Sequence, residues 1–146
     1  MSAADEPEEM EDDKTIDDDT LLYRRVMNQP CPPVKQIIWD DNTNCWRPSS
    51  AVFTNHPDGS PMSIALGDTL EQEGLSPDSV LIGHENFSLV SFPAYIPRSK
   101  NQGIMRKPLE NDPAHGEVFG KKTGGVKKTL QKNSTWYKEP DLPKPE

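Results

Sequence analysis

Apolar residues in this chain come in short bursts separated by polar, glycine and proline-rich stretches. Leu22, Arg24 and Val26 alternate with Leu21, Tyr23 and Arg25, the period-two pattern of a short strand with one wetter face. Gln29-Pro30-Cys31-Pro32-Pro33 cannot be helical and predicts an extended connector. Val34–Trp39 carries a short apolar run, Asp40–Asn44 has turn composition, and Trp46–Phe53 leads into a second buried piece. Asn55–Pro61 is a strong turn signal, and Met62–Leu66 alternates large and small side chains as a strand does. Asp68–Gly74 predicts a short helix, with Asp68 as cap, Glu71 three residues on and Gly74 as stop. Ser79–Gly83 and Phe87–Phe92 are further strand candidates, while 98–116 reads as polar and irregular. Glu117–Gly120 predicts a last short strand. Thr123–Lys138 then predicts a basic helix with Val126, Leu130 and Trp136 as its buried positions.

These elements add up to a small α+β domain of several short strands, one short helix and a C-terminal basic helix. Composition adds boundaries. Residues 1–19 hold ten acidic residues and one lysine, the composition of a disordered acidic arm. The domain proper is expected over 20–139, and a proline-rich tail over 140–146. The whole chain carries 16 basic and 24 acidic residues; outside the arm 15 and 14 remain, so the formal charge of −8 is an effect of the arm. Six lysines and no acid lie in 121–138, which places opposite charge at the two ends. The acidic N-terminus with no following apolar run predicts a cytoplasmic protein without a membrane partner, with Cys31 and Cys45 as reduced thiols.

Two groups of residues carry candidate chemistry. Gly120-Lys121-Lys122-Thr123-Gly124-Gly125 lies between a predicted strand and a predicted helix, where backbone N–H groups and the helix dipole make an anion cradle. It is no Walker A loop, because His115 stands where that motif needs its first glycine. Lys121, Lys122, Thr123, Lys127, Lys128 and Lys132 are the candidate contacts for a phosphate, a nucleic acid or an acidic partner; a plain solvated turn is the competing reading. Trp136 and Tyr137 add aromatic faces, with Trp136 expected to anchor the segment to the core. The second group is Arg24, Ser49, His84, His115 and Glu117. An Arg on a first strand, a central Ser and a late Glu follow the order of active-site residues in some ADP-ribosyltransferases, though no Glu-x-Glu is present. Ser49 after Pro48 has an ordinary use as a cap, and Arg24 or Arg25 as partners of Asp40 or Asp41. No histidine or cysteine spacing matches a metal motif, so neither a metal nor another cofactor is expected.

The succession Leu22-Tyr23-Arg24-Arg25-Val26, Arg47-Pro48-Ser49-Ser50-Ala51, Gly83-His84-Glu85, Pro113-Ala114-His115 and Gly120-Lys121-Lys122-Thr123 resembles a set of short, functionally uncharacterised bacterial proteins, over roughly residues 19–137. That resemblance implies a bacterial, cytoplasmic, single-domain protein and supplies no activity. The expectation is therefore a non-catalytic accessory protein. Its basic C-terminal face would bind an anionic partner, another protein first of all, with the acidic arm competing for that face. The alternatives are a small transferase-like or hydrolytic enzyme built on Arg24, Ser49, His84, His115 and Glu117, and a component of a multi-protein defence or conflict system.

Overall fold

A computed structural model describes residues 10–32 and 34–146. Among the described residues eight strands and three α-helices follow one another. β1 is Leu21–Met27, β2 Ile37–Asp40, β3 Cys45–Pro48, β4 Met62–Leu66, α1 Gly67–Gln72 and β5 Phe87–Pro93. Then come α2 Tyr95–Arg98, β6 Gly103–Arg106, β7 His115–Phe119, α3 Gly124–Lys132 and β8 Thr135–Lys138. Six strands form one sheet in the order β6-β7-β4-β1-β5-β8, with every neighbour antiparallel; β2 and β3 form a separate hairpin. The α+β class expected from the patterning is what the chain adopts.

Strand alternation divides the core in two. On one face Leu22 and Val26 of β1, Ile64 of β4, Phe92 of β5, Ile104 of β6 and Val118 of β7 join a large apolar cluster. Val52 and Phe53, Val126 and Leu130 of α3, and Ile37 and Trp46 of the hairpin cover that face. On the other face Tyr23, Ala65 and Leu89 pack with Leu70 of α1, Ala114 and the flanking Val80 and Leu81 in a much smaller cluster. One side of the sheet is thus thickly covered, and the other only in part. Clefts form where a sheet face lacks a full second layer.

Several sequence expectations are corrected. The arm does not end at residue 19: Ile16 is 1% exposed and belongs to the main cluster. Residues 12–13 line the open edge of β6, where Asp13 N donates to Ile104 O at 2.8 Å and Ile104 N donates to Asp12 Oδ1 at 2.9 Å. An acidic side chain and one amide thus satisfy an edge strand that would otherwise be free to pair elsewhere. Residues 1–9 of the expected arm, and Pro33 of the expected connector, lie outside the described residues. The stretch 98–116, expected to be irregular, holds β6 and the start of β7. Ser79–Gly83 is not a strand: a 3-10 helix spans Pro77–Leu81, with Pro77 at its start. Asp68 does not cap α1; it meets Arg106 at 2.6 Å.

The expected helix Thr123–Lys138 breaks after Lys132, and Trp136 sits on β8 rather than on a helix. Trp136 still anchors its segment, packing on the core and donating from Nε1 to Trp46 O at 2.9 Å. The proline-rich end is no loose tail either. Trp46 Nε1 donates to Leu142 O at 3.1 Å, and Lys144 lies over the Trp39 ring at 5.8 Å. No helix among the described residues is long and apolar enough to cross a membrane.

Candidate functional site

The thinly covered face holds a cleft of about 440 Å³. That is within the ordinary size of a small-molecule site, roughly 300–1,000 Å³. Its floor is β1 and β4; α1, the loop after it and the 3-10 helix wall one side, and the turn before β7 closes one end. The wall is apolar: Leu70, Leu75, Val80 and Ile82. Ile82 is 78% exposed and Leu75 43% exposed, so two large apolar side chains stand in solvent at the rim. The positions follow from local structure. Gly74, at φ +67°, ends α1 and lets Leu75 N reach back to Leu70 O at 2.9 Å.

The polar groups of the cleft come from Arg25, Ser63, His84 and His115, with Asp112 as an acid. Arg25 reaches across to the wall, where a guanidinium N–H donates to Val80 O at 3.2 Å. His84 packs edge-on to Phe87 with ring centroids 5.3 Å apart. Ser63 and His115 belong together. Ala65 pairs with His115 and Ser63 with Glu117 in the β4–β7 ladder, so all four side chains rise from one face.

His115 is oriented by its other ring nitrogen. Nδ1 lies 2.9 Å from Lys107 O, an acceptor only, so Nδ1 carries the proton. In the neutral ring Nε2 is then the lone-pair nitrogen, and Ser63 Oγ–H donates to it at 3.3 Å. Ser63 has spent its one proton there, so at 3.0 Å it accepts from His56 Nε2–H. His56 is held over Ser63 by a tight turn: His56 N donates to Ser60 O at 2.9 Å, Gly59 N to His56 O at 2.9 Å, and Gly59 takes φ +90°. A hydroxyl aimed at an imidazole, itself oriented by a third group, is the arrangement that activates a serine.

Of the five residues singled out as an enzymatic set, His84 and His115 line the cleft. Arg24 also borders it, but its guanidinium is turned to the covered side. There Nε and Nη2 donate to Val52 O at 3.2 and 3.0 Å, and Nη1 donates to Ser63 O at 2.8 Å. Among the described residues it has no carboxylate partner, and burial with Arg25 nearby lowers its pKa to about 10. Ser49 is buried on that same side as an N-cap, accepting from Ala51 N at 3.1 Å. Glu117 stands opposite Ser63 in the ladder but does not line the cleft. The pairings expected of Arg24 or Arg25 with Asp40 or Asp41 do not form; Asp40 lies 4.0 Å from Arg47 instead. The set therefore does not converge as one site. Ser63 and His56, which complete the group around His115, were passed over because neither stands in a recognisable motif. The one available signal was Ser63 at the wetter, alternate position of a predicted strand.

The Gly120–Gly125 segment is also reordered. Lys122 is 9% exposed and turned inward, its Nζ donating to Val118 O at 3.0 Å and Gly120 O at 2.9 Å. Burial, with Arg24 nearby, lowers its pKa to about 8. Thr123 is the N-cap of α3, its Oγ1 accepting from Val126 N at 3.3 Å. Neither is left for an anion. Lys121, Lys128 and Lys132 are exposed and Lys127 partly so, and none has an ion pair among the described residues. Acids 12–18 of the N-terminal segment go elsewhere: Arg98 meets Asp12 at 3.1 Å and Asp18 at 2.8 Å, and Arg106 meets Asp13 at 3.6 Å. Their competition with a partner for α3 is not seen in residues 10–19. Among the described residues no group of three His, Cys, Asp or Glu side chains is placed to hold a metal ion.

Comparison with protein-family models, with curated proteins and with solved structures gave no match.

Proposed function

We propose that the protein binds a small amphipathic ligand, an acyl chain bearing a polar or anionic head, in the cleft between α1 and the open sheet face. One observation carries the reading. A cleft of about 440 Å³ joins an apolar wall, Leu70, Leu75, Val80 and Ile82, to polar groups from Arg25, Ser63, His84 and His115. Exposed apolar side chains at a concave rim gain by covering, and a few convergent donors orient what covers them. The Arg25 guanidinium at the cleft favours a head rich in oxygen. Calorimetric titration with octanoate tests this. Wild type binds it, and Ile82→Asp weakens binding by about tenfold or more, since it places a charge where roughly 1.4 kcal/mol of apolar contact is needed. Ile82 is exposed, so the change leaves the fold intact. Absence of binding at millimolar octanoate refutes the reading.

A second reading rests on the lysines of α3. Lys127, Lys128 and Lys132 on it, and Lys121 just before it, have no ion pair among the described residues, and the helix packs on the opposite side of the sheet from the cleft. They support binding of an anionic partner there, independent of the cleft. Charge reversal of Lys121, Lys127, Lys128 and Lys132 abolishes retention on heparin at low salt if this holds, and leaves octanoate binding unchanged. Equal retention of both proteins excludes it.

A further inference from the structure

We infer that Ser63 is a nucleophile: the cleft takes acyl esters, and Ser63 accepts the acyl group with His115 as its general base. The inference rests on the cleft reading and adds chemistry to it. Ser63 Oγ–H points at His115 Nε2 (3.3 Å), His115 Nδ1–H is fixed on Lys107 O (2.9 Å), and both side chains line the cleft that holds the apolar wall. These are the three relations a serine acyl transfer requires: nucleophile to base, base to orienting group, and both to a substrate pocket. A main-chain carbonyl does the orienting here, so no buried carboxylate is needed to select the tautomer. The turn at Asn55–Ser60 adds a second contact: His56 Nε2–H donates to Ser63 Oγ at 3.0 Å, so the hydroxyl is fixed between two imidazoles.

The step balances without a co-reactant beyond water. Ser63 Oγ attacks the ester carbonyl carbon as its proton passes to His115 Nε2, and the carbonyl oxygen takes the charge. Collapse breaks the bond to the alcohol, which leaves with the proton from His115. Water then attacks the acyl-Ser63 carbonyl and gives its proton to Nε2. The carboxylic acid departs as Ser63 Oγ recovers that proton. The apolar wall fits the acyl chain, so preference for chains of several carbons over acetyl is part of the inference.

The experiment uses p-nitrophenyl octanoate and p-nitrophenyl acetate on the full chain, followed by nitrophenolate release and intact-mass analysis after acid quench. The expected result is a burst of nitrophenolate with one octanoyl group added to the protein, mapped to Ser63, and faster with octanoate than acetate ester. Ser63→Ala abolishes the adduct, and His115→Gln slows it by about 10²–10⁴-fold. Ser63→Cys, close in size, keeps the nucleophile and forms the adduct, so loss through misfolding is separated from loss of chemistry. An adduct on a lysine, or equal rates for wild type and Ser63→Ala, overturns the inference. Octanoate titrated into the same samples separates the two levels. Binding without acylation removes the nucleophile and leaves the ligand cleft standing, and absence of both removes the cleft as well.

Discussion

Replacing Ile16 by alanine tests whether the acidic N-terminal segment is part of the folded domain. Ile16 is 1% exposed and packs in the main cluster, in a stretch whose composition predicts disorder. The change deletes three carbons, about 0.8 kcal/mol each on transfer alone, roughly 2.4 kcal/mol. The cavity left behind raises this toward about 3–4 kcal/mol. One limit applies: if residues 10–19 undock while the sheet stays folded, the loss cannot exceed the free energy with which that segment docks. The docking contacts include Ile16 itself, the two bonds to Ile104, the ion pairs of Asp12, Asp13 and Asp18 with Arg98 and Arg106, and hydrogen bonds from Arg98 to Asp13 O, from Arg106 to Thr15 and from Tyr95 N to Asp18 O. The pair of Arg98 with the exposed Asp18 adds little, about 0–1 kcal/mol, and the partly covered pairs of Asp12 and Asp13 add somewhat more. Urea unfolding followed by tryptophan fluorescence, which reports on Trp39, Trp46 and Trp136, measures the loss. Ile16→Ala is expected to cost about 2–4 kcal/mol and Ile16→Val about 1 kcal/mol, with the slope against urea unchanged. A loss below about 0.5 kcal/mol, as for an ordinary surface substitution, refutes the docking of this segment.

Lys122 gives a prediction in pH. Its pKa falls from 10.5 to about 8 on folding, because burial and Arg24 disfavour the ammonium, so between those values the unfolded chain holds the extra proton. Stability therefore rises with pH from about 8 toward about 10, and Lys122→Met flattens that rise in urea unfolding; identical slopes contradict the burial of Lys122. The carboxylates of the N-terminal segment act in the opposite range. Burial raises the pKa of Asp12, but hydrogen bonds from Lys14, Ile104 N and Arg98 hold it below 3.8, and the side chain and amide of Thr15 do the same for Asp13. Their contribution is full above about pH 4 and is lost as pH falls through the lowered values, so amide exchange at Ile104 accelerates under acid before the sheet core opens. Gly120 has φ +128°, and an added Cβ would meet the Gln102 side chain at 2.6 Å, so Gly120→Ala is expected to cost about 1–3 kcal/mol by thermal unfolding.

What the sequence made legible was what period and punctuation encode. β1 and β4 followed from alternation, α1 from its helical run and Gly74, and the anchoring role of Trp136 from its aromatic bulk among lysines. The rest depended on partners distant in the chain. Asp12, Asp13 and Ile16 look like disordered acid until β6 presents an open edge and Arg98 and Arg106 present charges 80 or more residues away. β6 itself is four residues, too short for a period to stand out from a polar stretch. Lys122 reads as one surface lysine among six, and its burial is set by the carbonyls left unpaired as β7 turns into α3. The site was half legible. His84 and His115 stand out as chemistry-bearing residues, but the Arg–Ser–Glu order along the chain points to Ser49 and leaves Ser63 without a motif of its own. A register pairing of β4 with β7 is not visible in sequence. Only that register brings Ser63 to His115.

The central claim is that the cleft on the open sheet face, with Ser63 and His115 among its polar groups, is where this protein meets its ligand. Amide and side-chain chemical shifts recorded during an octanoate titration test it most directly. Saturable shifts confined to Tyr23, Ser63, Leu70, Ile82, His84 and His115 are expected, with α3 unmoved. Shifts confined to Lys121–Lys132, or none at millimolar octanoate, would contradict it.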